Sequence, residues 1–250
     1  MFSACFSIFR IVHSRMLPGL IRSHGGNDMN HDLIRIAIVL DRSGSMASIQ
    51  EPTITGFNEF IGSLRAAPGN IMLKLVQFDD QYETVFDLPL HQVPPLTFET
   101  FVPRGMTALL DAQGRTIVEL GQELNHLPAS ERPGKVIVMT MTDGMENASQ
   151  LYTDVQVAAM VEHQREVYKW QFLYLGANQD AIRVAAGIGI PQAGAITYFA
   201  NRRAVANTLR ACASNIMVDL CSLRPSCEIS FSLEDRAAAM AEAGDQEGAP

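Results

Sequence analysis

The chain is expected to form a doubly wound α/β fold, with a mostly parallel sheet and helices on both faces. Two runs, Leu33–Leu40 (LIRIAIVL) and Lys135–Met141 (KVIVMTM), are short and nearly continuous in apolar residues, as strands buried on both faces require. Each stops abruptly at a polar loop carrying an aspartate, Asp41 or Asp143. Between the strand candidates lie segments with apolar residues at helical spacing, and no internal repeat breaks the alternation.

After Leu40 comes the polar loop Asp41-Arg42-Ser43-Gly44-Ser45-Met46. Ile49–Leu64 is expected to be a helix, because Ile54, Phe57, Ile61 and Leu64 recur three or four residues apart. Ile71–Phe78 reads as the second strand and Glu83–Leu88 as the third. The short Asp79-Asp80-Gln81 turn makes that pair a hairpin, hence antiparallel. Pro94-Pro95 opens an irregular segment reaching Pro103, and a helix over Thr107–Leu124 begins after Gly105. The Lys135–Met141 strand leads into Thr142-Asp143-Gly144. Next come a helix over Asp154–Glu166, a strand over Trp170–Leu175, a short helix over Asp180–Ala186, a last strand over Ala195–Tyr198 and a last helix over Arg202–Leu220. Residues 236–250, rich in Ala, Glu and Gly, read as a disordered, frayed tail.

Residues 1–28 differ in character from the rest of the chain. They hold no acidic residue before Asp28, and the apolar stretch from Phe2 to Leu20 is interrupted by Arg10, His13 and Arg15. A secretory signal needs an unbroken apolar core and a small-residue cleavage site, and this segment has neither. Its Arg and Ser content leaves a transit peptide open. Gly25-Gly26 lies shortly before Met29, and one coding of Gly-Gly reproduces a bacterial ribosome-binding sequence. Translation from Met29 is therefore the expectation, with 1–28 an untranslated or disordered extension and 29–235 the folded domain.

A chain of 250 residues accommodates one α/β domain with a full core, or two small domains. Its net charge of -8, with no basic stripe, argues against a nucleic-acid partner. No uncharged apolar stretch approaches roughly 18 residues, so no membrane span is expected. Cys5, Cys212, Cys221 and Cys227 form no C-x-x-C pair and read as reduced thiols of a cytoplasmic protein. A zinc site at Cys221 and Cys227 lacks both ligand spacing and a nearby histidine.

In open α/β sheets ligands bind beyond the carboxyl ends of the strands, where strand order reverses. The loops after Leu40, Met141 and Leu175 share that edge, which brings Asp41 and Asp143 together. Asp41, Ser43 and Ser45 alternate, so an extended loop points three oxygen-bearing side chains one way, with Gly44 free to bend between them. Thr107 adds a hydroxyl at the start of its helix. Two carboxylates and three hydroxyls are hard donors that suit Mg2+, with Mn2+ or Ca2+ as competitors; zinc is poorly served without Cys or His. The two carboxylates balance one divalent ion, so an incoming carboxylate meets no net repulsion. Plainer roles compete: Asp41, Ser43 and Ser45 as an N-cap cluster, Asp143-Gly144 as a strand-end turn, and Thr107 as the cap of its own helix. Glu146 and Asn147 either rim the metal or lie in a solvated loop. Asn178 or Asp180 is expected to cap the next helix, and His91, His126 and His163 read as surface residues.

DRSGSM at 41–46 resembles the D-x-S-x-S motif of von Willebrand factor A domains. The threonine of Gly105-Met106-Thr107 and the aspartate of Thr142-Asp143-Gly144 match the other two parts of that family's metal-ion-dependent adhesion site. The resemblance runs from about Asp32 to Tyr198, and GFNEFI, PRGMTALLDA and TDGMENAS look most like stand-alone bacterial and phage members. It implies a Rossmann-like sheet with an antiparallel edge strand, in agreement with the hairpin. It also implies that Ser43, Ser45 and Thr107 touch the metal directly or nearly so, and that Asp41 and Asp143 hold it directly or through waters. A glutamate or aspartate of a partner protein then completes the coordination, and the Thr107 loop moves as that carboxylate arrives.

The function expected is a metal-dependent protein–protein interaction module, not an enzyme. The alternative is a Mg2+-dependent, phosphatase-like hydrolase using the same aspartates. A phosphatase of the haloacid dehalogenase type needs a second aspartate where Ser43 stands. A serine nucleophile needs a G-x-S-x-G elbow and a histidine that this loop lacks. Partner identity, pathway and oligomeric state are not legible in the residues.

Overall fold

The computed structural model describes residues 30–177, 180–222 and 228–241. The extension 1–28, the expected start at Met29, Cys5, Cys227, Asn178 and Gln179 lie outside the described residues. Six strands, β1 (Asn30–Asp41), β2 (Asn70–Phe78), β3 (Tyr82–Pro89), β4 (Pro133–Thr142), β5 (Gln171–Ala177) and β6 (Ala195–Tyr198), form one sheet in the order β3-β2-β1-β4-β5-β6. Every neighbouring pair is parallel except β2–β3, the hairpin, which puts an antiparallel strand at one edge. The helices are α1 (Gln50–Leu64), α2 (Leu109–His126), α3 (Asp154–Tyr168), α4 (Ala181–Gly187), α5 (Arg202–Cys221) and α6 (Leu233–Ala239).

The period-two geometry of β1 divides the core. Ile34, Ile36, Ile38 and Leu40 face one layer with Phe57, Phe60, Ile61 and Leu64 of α1 and Leu209 and Ile216 of α5. Ala37 and Val39 face the other, with Leu109, Ile117 and Leu120 of α2 and Val157 and Val161 of α3. This is the doubly wound α/β arrangement expected from the alternation. Arg35, the one charge in the LIRIAIVL run, is buried on the α2 side, where it pairs with Asp87 and Glu123; Lys74 joins it through Glu123.

The chain leaves β1 for β2 on one side and returns through α2 to β4 on the other. Strand order therefore reverses between β1 and β4, which pair in register with Leu40 opposite Met141. Their carboxyl ends are level, and the two polar loops emerge side by side.

Three details differ from expectation. A 3-10 turn over Gly44–Ile49 precedes α1. The helix after Gly105 begins at Leu109 rather than Thr107, because Thr107 is bonded through its backbone to Asn147. Residues 236–239, expected in the frayed tail, belong to α6, which a Ser232–Asp235 capping box starts and whose Ala239 is buried, its carbonyl accepting from Phe199 N–H.

The irregular segment before α2 is tied to the rest by backbone bonds. Arg104 N–H donates to Arg42 O at 2.7 Å, Gly44 N–H to Gly105 O at 3.2 Å, and Ala108 N–H to Asp79 O at 2.9 Å. Gly105 has φ +68°, and a side chain there would run into the Asp80 carboxylate. Asp79, fully buried in the β2–β3 turn, is the electrostatic hub. Its Oδ2 accepts from Arg42 Nε at 3.1 Å and Arg104 Nε at 2.8 Å, and its Oδ1 from Gln81 N–H at 2.6 Å. Burial alone would raise its pKa, but the hydrogen bonds from Arg104 and Gln81 and the charges of Arg42 and Arg104 hold it below the ordinary 3.8.

A carboxylate with a lowered pKa stabilises the fold at pH values above its unfolded value and loses that contribution as pH falls through the lowered one. Asp79→Asn should therefore destabilise the metal-free protein by about 3 kcal/mol at pH 7, the low end for breaking a buried pair. The low end applies because Arg42 keeps Glu83 and Arg104 is half exposed. Denaturant unfolding in EDTA should show the gap between wild type and Asp79→Asn closing below about pH 4. A gap that persists undiminished to pH 2 would mean that the ionised form of Asp79 contributes nothing.

Candidate metal centre

Asp41 closes β1 and is fully buried. Its Oδ1 accepts from Ser43 N–H and its Oδ2 from Thr142 Oγ1, both at 2.6 Å. Ser45 Oγ donates to Asp143 Oδ1 at 2.6 Å and lies 3.2 Å from Ser43 Oγ. Thus the first loop and the loop after β4 are joined through their side chains, as their shared place at the reversal of strand order requires.

Thr107 enters from the segment before α2. A Cβ built on Gly144 would lie 2.8 Å from Thr107 Oγ1, 3.4 Å from Ser45 Oγ and 3.5 Å from Ser43 Oγ. Three hydroxyl oxygens from two separate segments thus surround a space that even a methyl group would crowd, with the Asp143 carboxylate one residue away. All five sequence-selected residues come together at one edge of the sheet.

The plainer roles for the hydroxyls do not use them. Ser43 occupies the cap position of the 3-10 turn, yet its side chain makes no capping bond. The cap of α2 is Ala108, so Thr107 is not the cap. The α4 cap is Asp180, which accepts from Arg183 N–H at 3.0 Å. His91 and His126 are exposed and His163 is half-buried, edge-on to Tyr168.

Electrostatics separates these two aspartates from Asp79. Burial pushes the Asp41 carboxyl up to about 6, against the pull of the Thr142 and Ser43 hydrogen bonds and with help from the nearby Asp143 charge. Burial also raises Asp143, opposed by the Ser45 hydroxyl. Among the described residues neither forms an ion pair with a basic side chain, and both are short of positive charge. Among the described residues no three His, Cys, Asp or Glu side chains cluster to hold a metal. A centre here would have two carboxylates and three hydroxyls as its donors, a set suited to Mg2+, Mn2+ or Ca2+.

Several supporting residues escaped sequence reasoning. Asp79 and Arg104 read only as turn and loop residues. Glu146, a candidate rim residue, instead accepts from Leu110 N–H, Ala148 N–H, Ser149 N–H and Ser149 Oγ, so its carboxylate sits on the α2 N-terminus. Asp111 accepts from the amides of Gln150, Leu151 and Tyr152. The nearest sequence signal is the group of polar residues Glu146, Asn147 and Ser149 shortly after Asp143.

No family model matches the chain. No curated protein matches it in sequence. Solved structures do match. The von Willebrand factor domain of the type V pili tip protein Mfa5 from Porphyromonas gingivalis superposes with a TM-score of 0.55 at 10% identity, covering 76% of this chain and 97% of that one. The pilus adhesin SpaC from Lactobacillus rhamnosus GG, in its open conformation, gives 0.58 at 14% identity over 78% of this chain and 31% of that one. The minor pilin PilB from Streptococcus sanguinis gives 0.52 at 14% identity over 80% and 64%. Proximal thread matrix protein 1 from the mussel byssus is matched over only 46% of its length. At these identities the likeness is one of fold, and the fold of this chain is that of von Willebrand factor A domains.

Proposed function

We propose that this protein is a metal-dependent interaction module that captures a carboxylate of a partner protein. The carrying observation is the convergence of Ser43, Ser45 and Thr107 hydroxyls on Gly144, beside the buried Asp41 and the half-buried Asp143, neither of which pairs with a basic side chain among the described residues. Asp41, Ser43, Ser45, Thr107 and Asp143 would hold Mg2+, with Mn2+ or Ca2+ as substitutes. The bound ion would supply a positive charge and an open coordination position to an outside oxygen. Asp41 and Asp143 together offset its charge, so a glutamate or aspartate of the partner is not repelled. Met106 and Met145, each adjacent to a residue of the cradle, are 55% and 69% exposed and offer adaptable apolar contacts on either side. The named pilus adhesin among the structural neighbours supports binding as the role for this fold.

The hydrolase alternative finds less support. Ser43 and Ser45 bond to each other, and Ser45 to Asp143, rather than to a histidine.

Two outcomes test this reading. Mg2+ or Mn2+ at about 100 times its dissociation constant should add roughly 2.7 kcal/mol to stability, a rise of about 5–10 °C in melting temperature over EDTA. Identical melting curves with and without metal would end the metal reading. Asp143→Ala, and Ser43→Ala combined with Ser45→Ala, should abolish this rise and EDTA-sensitive partner capture. Their stability in EDTA should stay within about 1 kcal/mol of wild type, because Asp143 and Ser45 lie at the solvent edge and the buried Ser43 loses only a hydroxyl, so no core cavity opens. Capture of the same partner by wild type in EDTA and by Asp143→Ala would place the binding surface elsewhere.

A further inference from the structure

Thr107 is placed by one residue. Asn147 Oδ1 accepts from Thr107 N–H at 2.9 Å, while Asn147 N–H donates to Thr107 O at 3.0 Å. Both backbone polar groups of Thr107 are therefore satisfied by a residue four positions beyond Asp143. The flanking residues are pinned as well: Arg104 to Arg42, Gly105 to Gly44 and Ala108 to Asp79. Behind Asn147, the Glu146 carboxylate caps the start of α2, and Asp111 gathers the amides of 150–152. The Thr107 segment and the Asp143 loop are thus bonded into one unit.

We propose that Asn147 is a positioning residue for the metal, holding the Thr107 hydroxyl at the cradle before any partner arrives. The proposal rests on the metal reading above. It departs from the moving Thr107 loop that the family resemblance implies, because here movement of Thr107 must break the two Asn147 bonds and strain the Gly105 and Ala108 bonds on either side. Asn147 itself bonds to backbone alone, and it acts on the ion through Thr107. Groups that orient ligands in this way typically change metal affinity by about 10–100-fold when removed.

The test is Mn2+ binding to the full chain, followed by the paramagnetic signal of free Mn2+, for wild type, Thr107→Ala, Asn147→Ala and the double variant. The two single changes should each weaken Mn2+ binding about 10–100-fold. The double variant should be no weaker than Thr107→Ala, because Asn147 has nothing to position once the hydroxyl is gone. In metal-free protein, hydrogen exchange at the Thr107 amide should accelerate in Asn147→Ala and return to the wild-type rate in Asn147→Asp, which keeps the accepting oxygen. Should Asn147→Ala fail to fold, Asn147→Ser replaces it, its hydroxyl being too short to reach that amide. Wild-type Mn2+ affinity in Asn147→Ala, or losses that add in the double variant, would overturn the proposal while leaving the metal reading intact. Absence of Mn2+ binding by wild type would overturn both.

Discussion

The site at the sheet edge turns on a buried carboxylate at the end of the central strand. Asp41 follows Leu40 at the point where strand order reverses, and β4 lies in register beside it. A charged group that far from solvent costs several kcal/mol unless it is paired. Asp41 receives hydroxyls and a backbone amide but, among the described residues, no basic side chain, and its pKa rises to about 6. Nothing in the packing of β1 calls for an acid there. A Leu or Val would continue the strand and fill the same layer, so the acid is a local violation of the pattern that makes the rest of the core.

Asp79 supplies the contrast. It directly follows Phe78, the residue opposite Asp41 in the β1–β2 pairing, and is equally buried. Two guanidinium groups meet it, and its pKa falls below the ordinary value. The fold therefore can neutralise a carboxylate at this edge from its own residues, and does so one strand away. At Asp41 and Asp143 it supplies hydroxyls instead. Hydroxyls solvate a carboxylate weakly but coordinate a hard cation well, so the same donor set is poor compensation for the aspartates alone and good compensation for the aspartates with an ion.

The parts of this arrangement legible in sequence are those carried by local pattern. LIRIAIVL and KVIVMTM have the composition of doubly buried strands, and the rule that ligands sit beyond strand ends then brings Asp41 and Asp143 together without further information. The hairpin after Phe78 is legible because its turn is short. Long-range bonding to backbone is not. Asn147 and Glu146 come after Asp143 in a run of polar residues that has no period, and their partners, the amides of Thr107 and Leu110, are 40 and 36 residues away. Side chains of this kind satisfy amides left bare by a helix start or an irregular segment, so their roles exist only once the tertiary fold has placed those amides. The helix expected from Thr107 starts late for the same reason: the Thr107 backbone is taken by Asn147, which delays the helix to Leu109. Arg35, inside a run with the pattern of a purely buried strand, is accommodated because Asp87 and Glu123 arrive from β3 and α2.

The same bonding bears on how such a site would recognise a partner. Recognition gains affinity when the binding groups are ordered before the partner arrives, since the entropy of ordering them is then not charged to association. Residues 104 and 105 are tied to the loop after β1, residue 107 to the Asp143 loop and residue 108 to the β2–β3 turn. Met106 sits in the middle of this pinned stretch with its side chain exposed, and Met145 sits beside Gly144 on the facing loop. The backbone under Met106 is fixed, while both unbranched side chains keep several rotamers. A rigid polar centre between flexible apolar tips separates two tasks. Under the metal reading proposed above, the fixed oxygens would hold a hard cation that accepts one chemistry, a negatively charged oxygen aimed at the centre. The methionines accept a range of shapes around it. Turnover makes the opposite demand, because a reacting group must be held in one pose by its surroundings as well as by the centre. Under that reading this edge would be strict about a single contact and permissive about its neighbours, a division that suits capture better than catalysis.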